Sequence, residues 1–298
     1  MTAGVKRAWK VRRQTKAFWL FMAPTIFFIG VFLLYPLANT FYLSFFRYNL
    51  ASGNPMVFNG IDNYIRAFTH PLFLNSLRIT MIYTVIGVGL TMVIGFALAL
   101  LLNSDGIIFK LLRGVSLMPF LISSVALTVA WQVLYNPNFG LFNMILNSLG
   151  IASVNWLGDP NIALYAIALT DVWQFTPFVM ILVLAGMQGI STEYYEAAAV
   201  DGASKWQMLW NITVPLLKNV LLTILILRII DTFKTFEKPR ILTNGGPGQA
   251  TELISLHIYK TSFIQWEFGF GATGAVIVAV SICILTFVII KLFQLKEE

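Results

Sequence analysis

Glu196-Ala197-Ala198-Ala199-Val200-Asp201-Gly202, followed nine residues later by Ile212-Thr213-Val214-Pro215, is a polar interruption between two apolar runs. The Ala-rich run from Tyr194 to Val200 carries acids near its start, which suits a short helix whose positive N-terminal end faces carboxylates. Asp201-Gly202 reads as the turn that ends it, because glycine tolerates the left-handed conformation. From Ser204, an N-cap residue, a second short helix is predicted through Trp206, Met208, Leu209 and Trp210, until Pro215 breaks it or opens the next apolar run. The product is a helical hairpin that shows Ala, Trp, Met and Leu surface outside a bilayer. An apolar knob of that kind fits a groove on a partner.

The rest of the chain supplies the bilayer argument. Of 298 residues, 58% are hydrophobic and 11% charged, and the mean hydropathy is +0.78. Soluble domains carry about twice that charged fraction, so the composition is that of an integral membrane protein in contact with lipid. A net charge of +7 does not point to nucleic acid, because the basic residues are not gathered on a soluble, aromatic-interleaved module. Their distribution follows positive-inside topology instead. The single Cys283 lies in an apolar run, and His70 and His257 are too few for a metal cluster, so no metal site is expected. No Walker A motif is present, and no cofactor of the chain's own is expected.

Six apolar spans are predicted, at Phe18 to about Phe46, Ile79 to Leu102, Val115 to Tyr135, Ile162 to Met187, Asn219 to Phe236 and Gly269 to Phe293. The organisation is a basic N-terminal tail at 1–17, a six-span domain at 18–293 that contains the hairpin loop at 190–217, and a short tail at 294–298. The first run is too long for a signal-peptide core and is read as a retained span. Gly87, Gly89 and Gly95 in the second span permit close helix approach. Lys and Arg test the topology. Six lie in the tail (Lys6, Arg7, Lys10, Arg12, Arg13 and Lys16), and the other inside segments add Lys110, Arg113, Lys205, Lys218, Lys291 and Lys296, twelve in all. The outer segments hold six: Arg47, Arg66, Arg78, Lys238, Arg240 and Lys260. Both termini and the Glu196 loop are therefore expected on the cytoplasmic side, with 47–76 and 136–160 outside.

The 196–215 stretch resembles the EAA loop of the permease subunits of binding-protein-dependent ABC importers: Glu-Ala-Ala, three residues, Gly, nine residues, Ile, any residue, Leu, Pro. Val214 stands where that family usually has Leu. Further signals follow in order along the chain: Ala23-Pro24 and Tyr35-Pro36, Met118-Pro119-Phe120, Trp173 with Pro177, and Thr243-Asn244-Gly245-Gly246-Pro247. Together they look like the carbohydrate-type, maltose-permease-like members. The resemblance implies an all-α, type I ABC importer permease bundle of six transmembrane helices in a bacterial or archaeal cytoplasmic membrane. It implies a second permease subunit, two ATP-binding cassette subunits that hold ATP and Mg, and an external solute-binding protein. The hairpin is then the coupling helix that docks into the ATPase, through Glu196, Ala197, Ala198, Asp201, Gly202 and Pro215.

Charges inside spans are costly and mark function or pairing. At about 100° per residue, Arg228, Asp231, Thr232 and Thr235 share one arc of the fifth span, and Asp171, Gln174, Phe175 and Phe178 share one of the fourth. Polar groups beside aromatic rings are what a sugar's hydroxyls and ring face require. The resemblance implies the same region, since sugar permeases line their path just before the Pro of the pre-loop span. Arg228 and Asp231 at i, i+3 also suit simple mutual neutralisation. Lys234, Glu237, Lys238 and Arg240 read as headgroup-level residues or as a contact for the solute-binding protein. The competing classes are an intramembrane enzyme built on Asp171 and Asp231, and an ion-coupled transporter. Both leave the Glu196 loop without a partner.

Overall fold

The computed structural model describes residues 18–294; the N-terminal cluster from Lys6 to Lys16, and Lys296, lie outside them. The chain is helical almost throughout. In order come α1 (Phe18–Leu43), the short strands β1 (Phe46–Arg47) and β2 (Val57–Phe58), α2 (Asp62–Thr69) and α3 (Pro71–Leu102). Then follow α4 (Ile107–Leu121), α5 (Ser124–Leu134), α6 (Leu141–Ser148), α7 (Ala163–Gln188) and α8 (Thr192–Val200). The chain ends with α9 (Lys205–Leu216), α10 (Lys218–Lys234), α11 (Glu237–Leu242), α12 (Ile254–Tyr259) and α13 (Phe268–Gln294).

Four of these helices, α1, α3, α7 and α13, are long and apolar enough to cross a membrane. Two helix pairs are long and apolar enough only when taken together, and both are sharply bent: α4 with α5 at 92°, and α9 with α10–α11 at 65° around Leu217. Counting each pair once gives the six predicted spans. The third is thus not the straight segment expected, whereas the expected fifth span, from about Asn219, coincides with α10 and starts just past the second bend. Pro119 and the non-helical residues at Ile122 and Ser123 break the first pair. In the second pair the helix does not stop at Pro215. A π-helical stretch at Leu209–Thr213 carries the chain past the proline, and the break falls at Leu217.

The chain forms two compact units. The first comprises the described residues to Ala67 together with Thr261–Val276. Here β1 pairs antiparallel with β2, Phe46 opposite Phe58, and Asn49 caps the 3-10 turn at Leu50–Ser52 by accepting from Ala51 and Ser52. Buried Asn63 donates to the carbonyls of Ser44 and Phe46, fixing α2 under this ladder. The apolar side chains of α1 are exposed, as a lipid- or partner-facing helix requires.

The second unit holds Phe68–Lys260 and the chain from Ile277. Its centre is the packing of α3 on α7. Close approach depends on Gly95, where an added Cβ would lie 2.6 Å from that of Val179. At Gly87 an added Cβ would make only ordinary contact, 3.4 Å from Asp171 Oδ2, and Gly89 faces open space, so of the three predicted glycines only Gly95 is required for close approach. Buried apolar clusters lie on either side of the polar positions of α7. One joins Tyr83, Trp131, Tyr135 and Ile167; the other joins Ala99, Met180, Leu184, Leu217 and Ile224.

Candidate functional site

The hairpin folds as its local chemistry dictates. Ser191 accepts from the amide of Glu193 to start α8, and Ser204 forms a reciprocal capping box with Gln207 to start α9. Between them Gly202 adopts φ +80°. Its amide donates to the Ala199 carbonyl (3.1 Å) and that of Ala203 to the Ala198 carbonyl (2.9 Å), the paired bonds of a Schellman motif. Tyr195 Oη and Thr213 Oγ1, 3.0 Å apart, tie α8 to the far arm. Glu196, Ala197, Asp201, Gly202 and Pro215 are exposed and Ala198 is half-buried. Trp206 and Trp210 stand edge to face at 5.6 Å and are mostly exposed, as is Val200. Beneath the tryptophans a cavity of about 380 Å³ is walled by Met187, Tyr195, Met208 and Leu209. This is an apolar, capped plug that the described residues leave uncovered.

The charged residues of the spans meet elsewhere in the same unit. Asp171 Oδ2 accepts from Arg228 Nη2 at 2.5 Å and its Oδ1 from Lys238 Nζ at 2.7 Å. The three side chains are 1%, 0% and 2% exposed. Phe175 covers the cations, with Arg228 Cζ 4.1 Å and Lys238 Nζ 4.8 Å from its centroid. Asp231 Oδ2 is 3.9 Å from Arg228 Nη1 and is partly exposed. So the expected mutual neutralisation of Arg228 and Asp231 is secondary; the main partner of Arg228 is Asp171, on a different helix. Lys238 is a second revision. The chain turns at Thr235 and Phe236, and the residue read as headgroup-level folds back into the protein.

The other predicted residues surround this cluster. Gln174 donates to the Ile122 carbonyl at 3.5 Å, and its Oε1 has no partner. Phe120, from the break in the third span, stacks on Phe178 (5.2 Å) and meets Phe175 edge-on (5.9 Å). Thr232 and Thr235 donate to the carbonyls of Ile229 and Asp231, leaving their hydroxyls as acceptors. The Tyr83 hydroxyl, beside Asp171 and Thr235, makes no directed hydrogen bond. A wall of aromatic faces with unpaired donors and acceptors can hold a polyhydroxylated ring. With a cation on each oxygen, Asp171 is poorly placed for acid-base chemistry, which weakens the two-carboxylate enzyme reading. Tyr83, Phe120 and Lys238 were not among the predicted site residues. Only Phe120 carried a sequence signal, the Met-Pro-Phe triplet.

Residues 89–296 match the family model described as binding-protein-dependent transport system inner membrane component. The chain belongs to that family. Among curated relatives, the permease is similar to the trehalose/maltose transport system permease protein MalF of Thermococcus litoralis, 37% identical over 96% of each chain. It is also similar to the sulfoquinovosyl glycerol transport system permease protein SmoG of Agrobacterium fabrum, 35% identical over 93% of this chain and 90% of SmoG. Among solved structures, a bacterial ABC transporter involved in import of the acidic polysaccharide alginate has a chain that matches with TM-score 0.83 at 22% identity, covering 97% of this permease and 98% of that chain. The fold is accordingly that of an ABC importer permease, a transport subunit of the inner membrane and not an enzyme. ATP hydrolysis in such systems belongs to separate subunits.

Proposed function

We propose that this permease carries a carbohydrate or carbohydrate derivative, handed over by a solute-binding protein, across the cytoplasmic membrane. The observation that carries the substrate class is near-full-length similarity to permeases named for trehalose/maltose and sulfoquinovosyl glycerol transport. The aromatic and polar wall of Gln174, Phe175, Phe178, Phe120, Thr232 and Thr235 is chemically suited to it. The working assembly is this chain, a second permease subunit and two ATPase subunits that bind ATP and Mg. Both termini and the 190–217 loop lie on the cytoplasmic side. Closure of the ATPase pair pushes on the exposed α8–α9 plug, and the plug moves the helices continuous with it, exposing the site to alternate sides.

The test is co-purification of the tagged permease with the products of its neighbouring genes, wild type against Glu196→Arg/Gly202→Val, followed by ATPase assay with loaded binding protein. An ATPase should accompany the wild type and be lost from the double variant, and a sugar-loaded binding protein should stimulate hydrolysis. A stable permease that recovers no ATPase would overturn the coupling reading. Stimulation only by non-carbohydrate solutes would overturn the substrate class.

A further inference from the structure

A cavity of about 700 Å³ belongs to the first unit, and none of the residues that line it belongs to either site above. Its volume lies within the range of small-molecule clefts, roughly 300–1,000 Å³. It is a braced chamber. The 48–50 backbone pairs with 266–269, Leu50 donating to the Trp266 carbonyl (3.0 Å) and Gly269 to that of Tyr48 (3.1 Å). Across it Arg66 clamps Glu267 through two nitrogens, at 2.7 and 3.4 Å, with its guanidinium 4.2 Å from the Phe270 centroid. Underneath, Asn63 is locked on two carbonyls.

We propose that this chamber is a second saccharide site, for a neutral polyhydroxylated ligand of one or two rings. The wall is electrically balanced, Arg47 and Arg66 against Asp62 and Glu267, and Arg66 and Glu267 already satisfy each other. An anion would call for surplus positive charge, and a hydrocarbon for an apolar wall. What the wall offers is mixed: a guanidinium donor at Arg47, carboxylate acceptors at Asp62, and side-chain amides. Sugar hydroxyls both donate and accept, so they match that mixture. Asn59 adds a specific element. Its Nδ2 is committed to Asn63 Oδ1 at 3.1 Å, and its own Oδ1 is shielded from solvent with no donor. A rotation of the Asn59 amide toward the chamber would let a ligand hydroxyl donate to this oxygen and so repair an unsatisfied acceptor. The proposal borrows from the sugar-importer reading only the choice of probe sugars.

The assay is hydrogen–deuterium exchange on the assembled importer without binding protein, with trehalose, maltose or lactose at millimolar concentration, and with glucuronate as an anionic control. The peptide covering 47–63 should slow about threefold with at least one neutral sugar, the factor (1 + [L]/Kd) at twice the dissociation constant. Asn59→Leu and Asp62→Ala should abolish the effect while leaving exchange in 190–217 and basal ATPase unchanged. Absence of protection by all three sugars, or protection by glucuronate alone, would overturn the second site. Exchange at 171–178 and 228–235 and the stimulated ATPase report on the proposed transport function separately. A sugar effect there with no protection of 47–63 by any of the three sugars refutes only this inference.

Discussion

Replacing Asp171 by Asn should harm the fold much more than replacing Lys238 by Met. Asp171 is the single anion between Arg228 Nη2 at 2.5 Å and Lys238 Nζ at 2.7 Å, and all three side chains are 2% exposed or less. Asp171→Asn leaves two buried cations facing a neutral amide, and breaking a buried pair from one side costs about 3–5 kcal/mol. Lys238→Met leaves Asp171 and Arg228 as a neutral pair, and Met fills much of the lysine stem volume. The loss is then one hydrogen bond to a charged group, about 1.5–3 kcal/mol. A gap of about 1.5 kcal/mol or more between the variants corresponds to roughly a tenfold difference in the folded ratio. The double variant Asp171→Asn/Lys238→Met removes one surplus cation and should recover part of the single Asp171 loss, a negative interaction energy in the cycle. The measurement is reversible SDS unfolding of the purified permease in mixed micelles, with Tyr83 and Trp131 nearby to report on packing. Equal destabilisation by the two single variants, or a double variant that is strictly additive, would refute the account of Asp171 as the cluster's counter-charge.

Gly202→Val should uncouple hydrolysis from uptake while leaving the permease inserted. A side chain meets no neighbour there, but φ +80° penalises any L-residue by about 1–2 kcal/mol and a β-branched one more, and unchanged uptake per ATP would contradict this. Gly95→Ala should lower stability by about 1–3 kcal/mol through overpacking on Val179, with Gly89→Ala as the silent control; equal melting of the two variants would remove the close-approach argument. Glu252 supplies a pH dependence. Burial pushes its carboxyl up, but hydrogen bonds from His257 and Lys260 and their charges outweigh burial and hold it below its ordinary value. A depressed acid contributes stability in full above the ordinary glutamate value, about 4.3, and loses it as pH falls through the depressed one. Wild type should therefore lose protease resistance around the 243–260 loop below about pH 4, and Glu252→Gln should be equally sensitive at neutral pH.

How far the molecule could be read from sequence depended on the range of the forces. The hairpin was legible because each determinant acts within a few residues: Ser204 bonds to Gln207, and Gly202 turns the chain by its own φ. The apolar spans were legible from hydropathy, since a bilayer demands length and composition. The breaks were not. Pro119 and Pro215 were visible, but where each span bends depends on which carbonyls find other partners, and the second bend fell two residues past its proline. Asp171 and Arg228 were singled out as costly intramembrane charges, yet their union spans 57 positions, and the tie to Lys238 spans 67. Lys238 sits between Lys234 and Arg240 in sequence, so nothing local separated a buried lysine from an exposed and a half-buried neighbour. The chamber around Asn59 was missed for the same reason: Glu267 reaches Arg66 across 201 residues.

The contact between Tyr195 and Thr213 has a mechanical consequence. It closes a circuit between residues 18 positions apart that contains the Gly202 turn, so the two arms form a triangulated truss and not a free hinge. Under the proposed coupling, a load applied at Trp206 would pass through this strut to Leu217 and α10 without first being absorbed as flexing at the glycine. In the proposed coupling, stiffness at the point of contact would let a small inward stroke become a displacement of long helices, and the Tyr195–Thr213 bond is where it would come from.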